Sequence, residues 1–351
     1  MPLKTTVLGA YPKPDYVPIR DWFTMPGGQV SASATRDYSE ALLIPDPATE
    51  ALFARAAAEV IADQVACGID IVTDGEVRRE NYIHYHCRHL KGIDFSTLTH
   101  KVLRDGAYET DLPTVRSDIT PRPGHFLPHD YQVAQAGTDR PMKVTLPGPM
   151  TITDTTADAH YGDPARQGAD LARALNYEIK ALIAAGCRHI QVDEPLFARK
   201  PAETLDYGIA NLDLCFEGVG SEVARAVHIC CGYPTKLDDK DYKKADPNAY
   251  LAMAEALDAS VVDQISIEDA HRHNDLKLLE RFRESTVIFG SIAIASSALE
   301  PISAIQRRLT EALTHIEAER LIVAPDCGLG FLTRDLAMHK LTHMTEAARA
   351  I

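Results

Sequence analysis

A closed (β/α)8 TIM barrel with a long insertion after its second strand is the fold class this α/β sequence predicts. Three observations predict it. Eight short apolar, strand-like runs recur along nearly the whole length. Helix-period stretches lie between most of them, and polar residues collect where the runs end. Strands alternating with helices form βαβ units and a parallel sheet, and eight such units close a barrel. A doubly wound open sheet is the structural runner-up, but no G-x-G-x-x-G follows the first run.

The runs are Thr5–Leu8, Ile69–Val72, Met142–Leu146, His189–Val192, Arg225–Cys230, Val261–Ile267, Thr286–Phe289 and Leu321–Ala324. The helix-period stretches are Thr49–Cys67, Gln167–Ala185, Pro247–Leu257, Ile302–Ala318 and Thr333–Ala350. About seventy residues without clear periodicity separate the second run from the third. Arg78–Arg140 is therefore expected to be an insertion over the barrel mouth, with a hairpin around Phe126–Val133, since long connections tend to be lids or binding loops. A smaller insertion is expected over Lys200–Glu217. With no internal repeat or low-complexity linker, residues 1–351 are expected to form one domain.

Composition bounds the function. The chain has 351 residues, of which 45% are apolar and 25% charged, ordinary values for an enzyme with a substantial core. A formal net charge of -14 argues against nucleic-acid binding, which needs a basic face. No basic-then-apolar leader opens the chain and no run of 18 apolar residues occurs, so a cytoplasmic protein without a membrane partner is expected. Seven scattered cysteines lack the rhythm of a disulfide framework, and reduced thiols are the default.

The ends of the runs carry the chemistry. In Val227-His228-Ile229-Cys230, residues two apart share a face, so an imidazole and a thiol project together. Glu268 closes the sixth run and Cys327 follows the eighth. Together His228, Cys230, Glu268 and Cys327 offer two sulfurs, one nitrogen and one oxygen, a donor set suited to zinc. The spacing is not that of a zinc finger, and these residues meet only if the barrel closes. A zinc held by thiolates suits activation of a further thiol, because the metal keeps its sulfur deprotonated at neutral pH. The bland alternative makes His228 and both cysteines core residues and pairs Glu268 with Arg272. A purely structural zinc is a further alternative.

Glu76, Asp193 and Glu194 are carboxylates at neighbouring mouth positions, suited to holding an ammonium or handling protons. The competing reading makes them solvated acids or partners of Arg78, Arg79 and Arg199. His84-Tyr85-His86-Cys87-Arg88-His89 has the composition of a second metal site, but tyrosine-histidine runs in an insertion more often pack a lid. His271-Arg272-His273-Asn274 reads as a polar helix start, with a hydrogen bond to a metal ligand as its functional alternative.

Taken together, Gln191-Val192-Asp193-Glu194-Pro195, His228-Ile229-Cys230, Ser266-Ile267-Glu268 and Pro325-Asp326-Cys327-Gly328-Leu329 resemble the cobalamin-independent methionine synthase family, specifically its catalytic zinc barrel. Asp74-Gly75-Glu76 and Leu146-Pro147-Gly148-Pro149-Met150-Thr151 fit as well, so the resemblance covers nearly the entire chain. Larger members carry an additional N-terminal barrel that this chain is expected to lack. The resemblance implies Zn2+ on His228, Cys230, Glu268 and Cys327. It implies Glu76 and Asp193 as the catalytic pair that grips the amino group of a homocysteine-like thiol, and methyl transfer to a zinc-bound thiolate.

Three departures stand out. Leu8-Gly9-Ala10 replaces Ile-Gly-Ser, so the serine that helps fix the amino-acid carboxylate is missing and the backbone N–H groups of Gly9 and Ala10 are left to serve. Thr155 aligns with a tryptophan that stacks on folate. Gly290-Ser291-Ile292-Ala293-Ile294-Ala295-Ser296 carries no histidine where the larger enzymes have one suited to protonating the leaving folate nitrogen. The metal side is retained and the donor side altered, which handicaps methyl-tetrahydrofolate, since an amine leaving group needs a proton.

The first expectation is a zinc-dependent methyltransferase acting on homocysteine or a similar thiol, with a folate, a methylcorrinoid or a small methylated compound as donor. The second is alkyl transfer to another thiol, as in the related epoxyalkane:coenzyme M transferases, with Arg78, Arg79 or Arg88 pairing an anionic thiol. The third is a non-catalytic protein with structural zinc. Barrels of this size often form homodimers, and no sequence patch decides the matter.

Overall fold

The computed structural model describes residues 2–19, 21–23, 33–103, 108–234, 236–239 and 242–351. Its strands are β1 (Lys4–Thr5), β2 (Leu90–Leu103), β3 (Tyr108–Pro121), β4 (Lys143–Pro147), β5 (Ala157–Asp158), β6 (His189–Asp193), β7 (Ala224–Ile229), β8 (Gln264–Ile267), β9 (Thr286–Gly290) and β10 (Leu321–Ala324). Seven of them form one parallel sheet in the order β1-β10-β9-β8-β7-β6-β4. The ring closes through the 71–72 segment, which bridges Thr6 to Ile71 on one side and Val72 to Met142 on the other. Lys143 N–H donates to the Val72 carbonyl at 2.8 Å, and Ile71 N–H to Thr5 at 3.1 Å. The predicted barrel of eight staves is thus the observed one.

Strands β4 and β10 are buried at every residue, as expected for a sheet covered by helices on one face and filled with side chains on the other. The covering helices follow in register with the strands: Pro47–Ala66, Leu127–Gln135, Pro164–Ala184, Ile209–Cys215, Ala249–Asp258, a 3-10 turn at Leu276–Arg281, Ile302–Ala312 and Arg334–Arg349. Two long helices start by the same device. Asp46 and Asp163 cap the backbone N–H groups two and three residues on, and Pro47 and Pro164 occupy the first helical position.

Two local expectations fail. Phe126–Val133 is no hairpin: Leu127–Gln135 is a helix that buries Leu127, Asp130, Tyr131 and Ala134, a helical spacing masked by its short length and by Pro128. Lys200–Glu217 is mostly helical, and Ile209–Cys215 is the barrel helix of the fourth unit. The hairpin of the long connection is β2 with β3, paired antiparallel with register shifts between Lys91 and Ile93 and between Asp94 and Thr99. Among the described residues, no helix is long and apolar enough to cross a membrane.

Candidate metal centre and substrate cavity

At the C-terminal rim, the end of β7 and the loop after β10 bring His228, Cys230 and Cys327 together. Their ligand atoms all lie within 4.8 Å of one another, and His228 Nε2 is 3.2 Å from Cys327 Sγ. Zinc bonds of about 2.0–2.3 Å place tetrahedral ligands some 3.3–3.8 Å apart, so the three fit a zinc ion with little movement. His228 Nδ1 meets Ser266 Oγ at 2.9 Å, which leaves Nε2 aimed at the cluster. The Cys230 thiol is held well below its usual value, first by a hydrogen bond from Cys327 and then by His228, with the Arg199 charge adding to the effect. Cys327 is pushed up by the same shared proton. A thiol pair that gives up one proton easily is a ready cation site.

Glu268 stands beside this cluster rather than in it. Its Oε1 accepts the Cys231 N–H, and its Oε2 accepts Lys244 Nζ at 2.6 Å. Arg272 donates to the Ala245 carbonyl instead of pairing with Glu268. Glu268, His271 and Asp326 form a second group. There Asp326 accepts the N–H groups of Asp269, Ala270 and His271 at 2.9, 2.9 and 2.7 Å. It also takes His271 Nδ1 at 2.6 Å, while His271 Nε2 accepts the Ala295 N–H. His271 therefore braces the loop that carries Cys327 and does not bond a member of the thiol cluster.

The carboxylates divide by role. Asp74-Gly75-Glu76 turns sharply, with Gly75 at φ 67° and Glu76 at φ 58°, a left-handed conformation rare for a side chain of this size. The turn buries the Glu76 carboxylate, which accepts Thr145 Oγ1 at 2.8 Å and Arg79 at 3.2 Å. Gly9 makes room for it, since a Cβ there would stand 2.6 Å from Glu76 Oε1. Asp193 ends β6 and accepts Gln191 Nε2 at 2.7 Å; burial pushes its carboxyl up to about 7. Below it, Lys143 Nζ is buried without a hydrogen-bond partner and is pushed down to about 7 by burial. Glu194 faces the other way. It accepts Met150 N–H, Thr151 N–H and Thr151 Oγ1 at 2.9, 2.9 and 2.7 Å, capping the Pro149–Asp154 helix.

One cavity of about 130 Å³ joins these groups; Glu76, Asp193, His228, Cys230 and Cys327 all line it. Ala10 and Thr155 line it as well, whereas Gly9 supports Glu76 from behind. The hairpin reaches over this cavity with Thr110, Asp111 and Leu112. An aromatic wall completes it: Trp22 packs on Phe23 at 5.2 Å and on Tyr82 at 5.6 Å, and Phe23 packs on Phe331 at 5.2 Å. The Tyr82 phenol is pushed well up by burial and then by Asp193, Cys230, Cys327 and Glu76, so it stands among the reactive groups. The sequence reading missed Trp22 and Tyr82 and offered Arg199 only as a partner of the mouth carboxylates: Trp22 and Arg199 lie in loops, and Tyr82 opens a helix of six residues, too short for a periodic signal; the single tryptophan was the one available hint. The histidine run packs the cavity wall: His84 bridges Thr35 Oγ1 and the Thr155 carbonyl, burial pushes it down to about 4, and His89 stacks on Phe126 at 3.7 Å.

A TIM barrel whose C-terminal rim gathers an imidazole, two thiols and buried carboxylates carries a candidate metal site where barrel enzymes place their chemistry. Residues 25–350 match the family described as the cobalamin-independent synthase, catalytic domain, and the chain belongs to that family. It is similar to a B12-independent methionine synthase from Shewanella sp. W3-18-1, solved in complex with selenomethionine. The identity is 30% and the TM-score 0.85, over 100% of this chain and 98% of that one. It is 28% identical over 353 residues to a methionine synthase of Saccharolobus islandicus strain Y.G.57.14, covering 99% of this chain and 95% of that protein. A methionine synthase of Sulfolobus acidocaldarius is 28% identical over 347 residues, covering 98% and 91%. A methyltransferase from Methanosarcina mazei shares the fold, with a TM-score of 0.54 at 14% identity over 95% of this chain and 94% of that one. These relatives make the chain a methyltransferase of the methionine synthase type.

Proposed function

We propose that this chain is a cytoplasmic, zinc-dependent methyltransferase that methylates the thiol of homocysteine or a close analogue. The observation that carries the proposal is the cavity shared by the His228–Cys230–Cys327 cluster and the buried pair Glu76 and Asp193. His228, Cys230 and Cys327 would hold the ion, with Glu268 swinging from Lys244 to serve as fourth ligand. Bound Zn2+ supplies the positive charge that keeps an added thiol deprotonated at neutral pH. That the Shewanella relative is solved with selenomethionine, a methylated chalcogen amino acid, supports an amino-acid ligand in this cavity.

The chain's own groups do the rest. Glu76 and Asp193 take the substrate ammonium, and the rigid turn at Gly75 and the Gln191 amide fix where those carboxylates point. The backbone N–H of Ala10, on the segment tied down by the 2.7 Å bond from Leu329 N–H to the Ala10 carbonyl, is placed for the substrate carboxylate. Thr110, Asp111 and Leu112 of β3 close one side of the cavity and help exclude water. In the transfer a sulfur–carbon bond forms as the donor–methyl bond breaks. The Gly290–Ser296 segment offers no titratable side chain for the leaving group, and His84 is tied at both nitrogens. This favours a donor whose leaving group departs without a proton, such as a methylcorrinoid, over methyl-tetrahydrofolate. The epoxide-opening reading loses the three arginines that it named, because Arg78 pairs with Glu50, Arg79 with Glu76 and Arg88 with Glu80.

The test is methionine formation by zinc-loaded protein given homocysteine and, in turn, methylcob(III)alamin and 5-methyltetrahydrofolate, followed by mass spectrometry. Turnover with the corrinoid and little with the folate is expected. No thiol consumption with either donor, nor with a panel of small methylated compounds, would sink the proposal.

A further inference from the structure

The cavity is lined by Glu76, Asp111, Asp154 and Asp193, yet by one Lys or Arg among its described residues, Arg199. The acids have partners: Asp111 pairs with Arg36 and Asp154 with Lys200, and Glu76 is held by Arg79 and Thr145. The nearby cations are also engaged, Arg79 by Glu76 and Lys244 by Glu268. Among the described residues no hydrogen bond or ion pair engages the Arg199 guanidinium, whose charge acts only at longer range on the Cys230 thiol. The guanidinium packs closely over Gly232. Gly232, at φ 113° just beyond Cys230, lies where an added Cβ would stand 2.5 Å from Arg199 Nη2. A half-buried guanidinium offers five donors in a planar fork, and leaving them unpaired in a confined site is costly.

We propose that Arg199 is the anion anchor of this cavity, binding a carboxylate of one of the two substrates by a bidentate charge-assisted contact. A planar fork facing an open cavity matches carboxylate geometry, whereas an ammonium on a flexible stem would act as a point charge. The anion-pairing role expected at Arg78, Arg79 or Arg88 thereby moves to a residue that the sequence offers only as a partner of the mouth carboxylates. Two sources supply the same chemistry. The acceptor's α-carboxylate is one, given that Ala10 brings no polar side chain to the cavity. The carboxylate of an anionic methyl donor is the other, because Arg199 follows β6, the fourth stave of the ring, whereas Gly9 and Glu76 follow the first two. Arg199 is a specificity determinant and takes no part in bond making.

The assignment of acceptor and donor rests on the function proposed above; the guanidinium's demand for an anion does not. The experiment is calorimetry on zinc-loaded wild type, Arg199→Gln and Arg199→Lys, with folding checked by circular dichroism and zinc content. The probes are L-homocysteine, its carboxylate-free analogue 3-aminopropane-1-thiol, 5-methyltetrahydrofolate and inorganic sulfate. Arg199→Gln is expected to lose sulfate binding and to weaken one carboxylate probe by about tenfold or more, with Arg199→Lys intermediate and the aminothiol unchanged. Weakening of homocysteine assigns the anchor to the acceptor, and weakening of the folate assigns it to the donor. If no thiol binds even to wild type, the methyltransferase reading fails while the sulfate arm still reports on Arg199. Equal binding of all four probes to wild type and Arg199→Gln overturns the assignment.

Discussion

Two buried clusters sit side by side on the rim of this barrel and differ in what their atoms have left to give. In the first, His228, Cys230 and Cys327 face one another and a cavity, and His228 Nε2 has no partner but a thiol. In the second, every side-chain polar atom of Asp326 and His271 is taken by backbone or by the other. Composition does not separate them, since both combine acidic or thiol groups with a histidine. Satisfaction does. A closed network stabilises a loop; an open one is poised to take a ligand. The adjacent pair Asp193 and Glu194 repeats the contrast within two residues, one open to the cavity and one locked as a helix cap.

The largest test of this contrast is on the open side. Replacing Cys327 or Cys230 by Ser is expected to abolish stoichiometric zinc and all methyl transfer while the fold survives, measured by metal analysis beside a thermal melt. On the closed side, Asp326→Ala strips an acceptor from three N–H groups and an imidazole. It should cost about 3–5 kcal/mol of stability in urea titration. Full stability in Asp326→Ala would show that the second cluster is not the brace described.

Asp193 gives a pH signature. In the metal-free protein burial raises its carboxyl from 3.8 to about 7. The folded state therefore holds a proton that the unfolded chain releases, and this group's contribution to stability declines as pH rises from about 4 to 7. Asp193→Asn should then be more stable than wild type at pH 8, by up to about 4 kcal/mol, with the difference fading below pH about 4. The same variant should bind homocysteine poorly. Glu194→Gln should do the reverse: one capping donor is left unmatched at a cost of about 1–3 kcal/mol, with homocysteine affinity kept. The smallest effect is expected of Ser266→Ala, which frees the His228 ring and should weaken zinc by about 10–100-fold with little change in the melt.

Much of this was legible in the sequence because a parallel barrel writes its strands as short apolar runs and its chemistry at their ends. Gln191 to Asp193 and His228 to Cys230 show both signals in five residues or fewer. What stayed hidden depends on contacts across the barrel. Nothing local tells Asp193 from Glu194, because a one-residue turn of the chain decides which faces the cavity. Lys244 and Arg199 come from irregular loops, so neither the hold on Glu268 nor the free guanidinium had a pattern to betray it. The Leu127–Gln135 helix was misread because nine residues give the 3.6-residue period too few repeats to stand out from the Pro, Gly and His around it.

The most direct test of the open cluster is X-ray absorption at the zinc edge, with and without homocysteine. The account predicts a first shell with two sulfurs that gains a third when homocysteine is added. A shell that stays unchanged under saturating homocysteine would contradict it and mark the metal as structural.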